Sequence, residues 1–218
     1  MPSTNKVAAV IPFYNEQKTI REVITRTLLF VDKIFAINDG STDNGIDEVP
    51  DDPRVELVNI PQNQGKGAAM NYGFNLAHSE KYELTVTLDA DLQHPPEIIP
   101  TLLDIKSDDI VIGNRLHDMS KMPIQRIISN SITSFLLALK TGQIISDSQC
   151  GFRVYRTAIL PEILPSYKGF EAESEILINA ARHNFKIGFR EIPTVYGDEK
   201  SKMRPLQAII GFIKVMFL

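Results

Sequence analysis

Two aspartates one residue apart, Asp89 and Asp91, are the first candidates for chemistry in this sequence. In an extended chain, residues i and i+2 point to the same side, roughly 6.6 Å apart along the strand. Two carboxylates so placed can share a hard cation such as Mg2+ or Mn2+, whose remaining positions stay open to phosphate oxygens. Gln93 continues the same alternation and can add an oxygen or orient a water. Fourteen aspartates in 218 residues yield about one such pair by chance, so the pair alone carries little weight. Its position directly after the apolar run Leu84–Leu88 is what raises it.

A second cluster, Gly65-Lys66-Gly67-Ala68-Ala69, opens a helical pattern. Glycines let a backbone approach a phosphate closely, and a helix N-terminus favours anions. The spacing matches neither a Walker A loop nor a G-x-G-x-x-G fingerprint, so a plain turn with a solvated Lys66 is the competing reading. The four histidines show no ligand spacing, and His94, followed by two prolines, is expected in a turn. Cys150, the single cysteine, is expected to be a small buried residue; alone it excludes a disulfide framework and a cysteine-based zinc cluster.

The elements that must position these groups follow from the apolar pattern. Strand-length runs cover Val7–Phe13, Lys33–Asn38, Val55–Ile60, Leu84–Leu88 and Asp109–Gly113. Helical patterns lie between them at Thr19–Phe30, Gly67–Ala77 and Pro95–Leu103. Thr19 and Glu22 have capping-box spacing, and Pro95-Pro96 suits a first helical turn. Short buried strands alternating with helices imply βα units and a mostly parallel sheet. The second half continues with a longer helix at Ile124–Lys140 ending near Gly142. A short strand at Phe152–Tyr155, a helix at Glu171–His183, a strand at Lys186–Tyr196 and a helix from Pro205 complete it. We expect one domain over 1–218: a nucleotide-binding half (1–115), an acceptor half (116–204) and an amphipathic C-terminal helix (205–218).

In open α/β sheets, ligands bind beyond the carboxyl ends of the strands. Five predicted strand ends deliver polar residues to that rim: Tyr14-Asn15-Glu16, Asp39 to Asp43, Asn63 to Gly67, Asp89 to Gln93, and Asn114-Arg115.

Composition bounds the rest. Hydrophobic residues at 43% and charged residues at 23% are ordinary globular values. A net charge of −4 argues against nucleic-acid binding. No secretory signal and no window of about 18 apolar residues is visible, so a cytoplasmic or surface-associated protein is expected. The stretch Ala208–Leu218 carries a single charge, Lys214.

Taken together, the segments resemble family 2 glycosyltransferases of the GT-A fold. The resemblance rests on Pro12-Phe13-Tyr14-Asn15-Glu16, Asn38-Asp39-Gly40-Ser41-Thr42-Asp43, Asn63-x-Gly65-Lys66-Gly67-x-Ala69-x-Asn71 and Asp89-Ala90-Asp91. Asp89 to Glu97, Gly113-Asn114-Arg115 and Asp147 to Arg153 are similar to the dolichol- and polyprenol-phosphate sugar synthases. Tyr196 to Met203 resembles that branch's late Gly-x-Ser-Lys segment, with extra residues between Gly197 and Ser201.

The resemblance implies a Rossmann-like three-layer α/β/α fold and an inverting, metal-dependent hexose transfer. The donor would be a UDP- or GDP-sugar. The acceptor would be a polyprenyl or dolichyl phosphate at the inner membrane face, in cell-envelope biosynthesis. It implies a nucleotide-sugar site of Pro12, Tyr14, Asn15, Glu16, Asp39, Lys66, Asp89, Ala90 and Asp91, with Asp39 on the base. Asp89, Asp91 and Gln93 would hold Mg2+ or Mn2+. Arg115, Arg153, Ser201 and Lys202 would bind the acceptor phosphate. A sugar hydroxyl on a polysaccharide or lipid-linked glycan is the alternative acceptor and requires a carboxylate base. Glu173 and Glu175 are the candidates, against a solvated acidic first turn as the plain reading. A sugar nucleotidyltransferase is a weak third reading, because the first strand end has no glycine. For the last helix, the two readings are core packing and an interfacial helix with Lys202, Arg204 and Lys214 toward headgroups.

Overall fold

A computed structural model describes residues 5–116, 122–193 and 205–218 of the chain. The predicted apolar runs form seven strands: β1 (Val7–Phe13), β2 (Lys33–Asp39), β3 (Val55–Ile60), β4 (Leu84–Thr87), β5 (Ile110–Asn114), β6 (Arg153–Arg156) and β7 (Ile187–Glu191). They make one sheet in the order β3-β2-β1-β4-β6-β5-β7. All pairs are parallel except those of β6, which runs antiparallel to both β4 and β5. This is the mostly parallel sheet that the alternation of strands and helices implied. The jump from β1 to β4 leaves a switch point, and the strand ends on either side of it carry the polar rim.

Every residue of β1 is buried, as a central parallel strand covered on both faces requires. Pro12 is tolerated there for a local reason. Val10 faces β4, since its carbonyl accepts the Leu88 amide. Pro12, two residues on, faces the same side, where the β4 ladder has already ended at Val10↔Thr87. Its missing N–H therefore costs no ladder bond.

The helices are α1 (Ile20–Thr27), α2 (Lys66–Ser79), α3 (Ile99–Leu102), α4 (Ile124–Thr141), α5 (Leu160–Ile163), α6 (Ala172–Arg182) and α7 (Pro205–Met216), with 3-10 turns at Asn44–Glu48, Pro96–Ile98 and Thr157–Ile159. Gly142 ends α4 in the left-handed region, φ +68°, as its position predicted. Three expectations need correction. The Thr19 side chain does not cap α1; its hydroxyl turns back to the Glu16 carbonyl, while Glu22 pairs with Arg26. The Pro95–Leu103 pattern resolves into a 3-10 turn followed by the short α3, because Pro100 interrupts a continuous α ladder. The strand predicted to reach Tyr196 ends at Glu191, and residues 194–196 lie outside the described residues.

α2 lies against β1, and Phe74 on its buried side stacks edge-on with Tyr155 of β6 at 5.2 Å. Gly73 sets how close the helix comes: a Cβ there would fall 2.2 Å from Val10 Cγ1 and 2.8 Å from Cγ2. Gly73→Ala gains about 1 kcal/mol of helix propensity but overpacks the α2–β1 contact, which costs about 1–3 kcal/mol. A net loss of about 1 kcal/mol is expected, read as a lower urea midpoint at unchanged slope.

Candidate active site

The loops after β1, β2 and β3 are stitched into one surface. Asn15, with φ +54°, donates its amide to Ser41 Oγ at 3.0 Å. Its side-chain oxygen accepts from the amides of Thr42 (2.7 Å) and Asp43 (3.2 Å). Asp39 accepts the Gln64 amide on Oδ1 and the Gly65 amide on Oδ2, both at 2.8 Å. These two residues first shape the rim; a carboxylate oxygen can accept a second donor, so Asp39 keeps capacity for a ligand.

The glycine–lysine cluster takes neither of the two forms expected of it. The Gly67 amide at the start of α2 donates to the Lys168 carbonyl at 2.7 Å, so this helix end meets protein rather than an open anion site. Lys66 is not solvated either. Its Nζ lies 2.5 Å from Asp89 Oδ1, at the end of β4, and 2.9 Å from Glu173 Oε1, in the first turn of α6. Burial alone would depress the lysine pKa, but Asp89 and Glu173 outweigh it and hold it above the ordinary value. For Asp89, burial acts upward and the Lys66 charge downward, leaving its carboxyl below the usual range. Gly151 admits this arrangement: a Cβ there would stand 2.8 Å from Lys66 Nζ and 2.9 Å from both Asp89 Oδ2 and Glu173 Oε1.

Asp91 follows in a tight turn, its Oδ1 accepting the Gln93 amide at 3.0 Å while Leu92 takes φ +59°. Among the described residues, no group of three His, Cys, Asp or Glu side chains forms a closed metal cage. Two aspartates and a glutamine on one turn suit a hard cation that completes its shell from phosphate and water, as Mg2+ and Mn2+ do.

Arg115, beyond β5, donates from Nε and Nη2 to the two oxygens of Asp147 at 2.8 and 2.9 Å. Asp147 is fully buried and also accepts from the Arg115 amide and from Asn130 of α4 at 2.7 Å. Burial would raise the Asp147 pKa, but the Arg115 fork and charge hold it below the usual carboxylate range. Ser134, one turn after Asn130, bonds Asn130 and Ser148. The inner face of α4 is thus tied to the residue that orients Arg115.

Arg153 is a correction. It was expected at the acceptor phosphate, yet it has no exposed surface. Its guanidinium donates to the carbonyls of Cys150 (2.7 Å), Ser148 (2.9 Å) and Glu173 (2.9 Å), so it braces the 148–151 loop against α6. The acidic turn of α6 is likewise not solvated. Glu175 accepts from Ser166 Oγ at 2.6 Å and the Tyr167 amide at 2.9 Å, and it is buried. His94 is also buried rather than in an open turn, beside Cys150 and the Phe152 ring. Burial and then the nearby Arg115 push His94 down to about 4, while burial pushes the Cys150 thiol up to about 12. Neither is poised as base or nucleophile. Ser201, Lys202 and Arg204 lie outside the described residues.

Sequence reasoning missed Asp147 as the partner of Arg115, the Lys66–Glu173 bridge and the role of Gly151. The Asp147 to Arg153 segment was singled out, but without individual roles for Asp147 and Gly151. It also missed the outer face of α4, where Ile124, Ile128, Ile132, Phe135 and Leu139 are all more than half exposed. Their i, i+4 spacing was a readable signal.

The family described as Glycosyl transferase family 2 matches residues 8–164. The chain is 31% identical, over 93% of its length and 90% of the relative's, to the UDP-N-acetylglucosamine–dolichyl-phosphate N-acetylglucosaminyltransferase of Methanococcus voltae. It is 31% identical over 89% of its length to the undecaprenyl-phosphate 4-deoxy-4-formamido-L-arabinose transferase of Edwardsiella ictaluri, of which it spans 62%. A solved structure of glucosyl-3-phosphoglycerate synthase from Mycobacterium tuberculosis with UDP has the same fold. Its TM-score is 0.74 at 18% identity, covering 99% of this chain and 81% of that one.

Removing one partner of a buried ion pair leaves the other uncompensated, at a cost of about 3–5 kcal/mol. Asp147→Ala is therefore expected to lower stability by about 3 kcal/mol in urea titrations. The wild-type carboxylate has a folded pKa below its unfolded 3.8, so its contribution is present above that value and lost as pH falls through the folded one. Asp147→Asn should flatten the acid limb of the stability profile, measured by unfolding between pH 2 and pH 6.

Proposed function

This chain belongs to glycosyl transferase family 2, and on that premise we propose that it moves a hexose from a nucleoside-diphosphate sugar to a polyprenyl phosphate at a membrane surface. The observation that carries this reading is the double allegiance of α4. Its inner face holds Asp147, which holds Arg115, while its outer face exposes an apolar stripe to solvent. A phosphate-seeking cation and a lipid-seeking surface on one helix suit an acceptor that is both. The two transferases named above, which act on dolichyl and undecaprenyl phosphate, support the same acceptor class.

Asp39, with Pro12, Tyr14, Asn15 and Glu16, would line the pocket of the base and ribose. Asp89, Asp91 and Gln93 would hold Mg2+ or Mn2+; solved structures of the M. tuberculosis synthase were obtained with Mn2+ and UDP-glucose. A cation held by these residues would supply Lewis-acid stabilisation of the negative charge on the departing diphosphate. Arg115, its fork held in place by Asp147, would offer its positive charge to the acceptor phosphate. Ser201 and Lys202 remain candidates for the same phosphate. A phosphate monoester has its second pKa near about 6, so it attacks as a dianion and needs no strong base. That fits α6, where Glu173 pairs with Lys66 and Glu175 with Ser166 and Tyr167. Displacement by a bound nucleophile opposite the leaving diphosphate inverts the anomeric carbon.

No helix among the described residues is long and apolar enough to cross a membrane. Docking on the surface is supported by α4 and by α7, where Ile209, Ile210, Ile213 and Phe217 are exposed while Val215 is buried. α7 thus makes core contact on one side and leaves an open apolar face on the other, which supports the interfacial reading of this helix. The two helices touch, Lys140 Nζ donating to the Met216 carbonyl at 3.2 Å.

Purified protein given radiolabelled nucleotide sugar and polyprenyl phosphate is expected to form an acid-labile glycolipid. Activity only on free or glycan hydroxyls would overturn the acceptor. Asp91→Ala should reduce transfer by roughly 10²-fold or more. In flotation with anionic liposomes, the double variant Ile128→Glu, Phe135→Glu is expected to lose most of its vesicle-bound fraction. Equal flotation would remove α4 from the membrane surface.

A further inference from the structure

Lys66 stands where the site can least accommodate a second cation. Its ammonium is 2.5 Å from Asp89, the same carboxylate that the proposed function gives to the divalent ion. Two cations on one carboxylate repel, so either the metal stays out or the lysine withdraws. A place to withdraw to is already built. Glu173 is 7% exposed, and its Oε1 already pairs with the ammonium at 2.9 Å while taking no other hydrogen bond among the described residues. The lysine therefore has a second carboxylate partner within reach before it leaves the first.

The surroundings confine the movement to the side chain. The α2 backbone beside Lys66 is fixed by the Gly67 amide on the Lys168 carbonyl. The first turn of α6 is fixed by Arg153 on the Glu173 carbonyl and by Glu175 on the Tyr167 amide. Gly151 borders all three charged ends, and a Cβ there would stand 2.8 Å from Lys66 Nζ and 2.9 Å from both Asp89 Oδ2 and Glu173 Oε1.

We propose that Lys66 is a resident counter-cation and positioning residue: it is shared by Asp89 and Glu173 while the donor is absent, and it gives up Asp89 to rest on Glu173 alone when the nucleotide diphosphate and its divalent ion enter. Glu173 is then the receiver of the lysine rather than a base. Metal alone must displace the lysine unaided, whereas metal with a diphosphate brings negative charge that offsets the crowding. Metal and nucleotide therefore bind with positive coupling, equal in both directions. The inference rests on the reading of Asp89 as a metal ligand.

The test is direct Mn2+ binding, followed by the loss of the free-ion EPR signal, with and without UDP or GDP. Wild type, Lys66→Met and Glu173→Gln are compared. In wild type the productive nucleotide is expected to tighten Mn2+ by about tenfold or more. Lys66→Met should tighten Mn2+ alone by about tenfold and shrink the coupling, since Asp89 is already vacant. Glu173→Gln should act oppositely, weakening Mn2+ in the presence of nucleotide, because the lysine then has nowhere to go. A merely structural role would weaken binding in both variants, and that result overturns the proposal. Should Lys66→Met melt below the assay temperature, Glu173→Gln carries the test, and unchanged Mn2+ binding there is equally fatal. Nucleotide-coupled Mn2+ binding that is the same in all three proteins removes only the exchange. Failure of all three to bind Mn2+ under any condition removes the metal reading with it.

Discussion

The contact on which the rest of the site depends is a lysine ammonium shared by two carboxylates from distant parts of the chain. Lys66 begins α2, Asp89 ends β4, and Glu173 opens α6. A charge leaving water is costly unless it is paired, so the three groups must meet or none of them can sit there. Their meeting sets demands on their neighbours. Residue 151 must lack a side chain, and residue 67 must lie close enough to Lys168 for its amide to reach that carbonyl. The acidic first turn of α6, ordinarily a solvated feature, becomes part of the interior. The first half of the chain is thereby joined to the second half through charge rather than through the sheet alone.

A second anchor repeats the logic on the other side. Asp147 is fully buried and serves Arg115, Asn130 and the local backbone, so it sets both the direction of an arginine and the position of α4. Arg153 completes the frame by donating to two carbonyls of the 148–151 loop and to the Glu173 carbonyl in the first turn of α6. Arginine suits that role because its planar fork donates in several directions and stays charged when buried. Two arginines of the same type thus divide the labour: one faces the rim under the control of a carboxylate, and one is consumed in holding the loop that shapes it.

The strands and the rim were legible because a buried strand and its polar successor are both local patterns. Leu84–Thr87 followed by Asp89 and Asp91 needed no knowledge of the rest of the chain. The antiparallel insertion of β6 was not legible, since Phe152 to Tyr155 reads the same in either direction and only its partners β4 and β5 decide. The exposed place expected for Arg153 and the solvated reading of the Glu175 turn fail for one shared reason. Residue type points a charged side chain outward, and only contacts with Ser166, Ser148 and other loop groups reverse that preference. The Thr19–Glu22 spacing failed at shorter range: Arg26 lies one turn beyond Glu22 and takes its carboxylate, leaving Thr19 to the Glu16 carbonyl.

The balance of charge at the rim carries the argument about chemistry furthest. A nucleotide sugar and a lipid phosphate are both anionic, and bringing them together requires positive charge between them. The described residues supply little that is not already matched. Arg153 is buried on carbonyls, Arg115 shares its charge with Asp147, and Lys66 is set against two carboxylates. Asp89 and Asp91 add negative charge instead. On the proposed function, a rim so arranged would repel both anionic substrates until a cation joined the aspartates, and a divalent ion would then be the companion of the donor rather than a permanent resident. The remaining positive charge must come from beside the acceptor, where the segment with Ser201 and Lys202 follows β7 in the chain and leads into α7. The exposed apolar faces of α4 and α7 are where, on the proposed function, the lipid of the acceptor would lie.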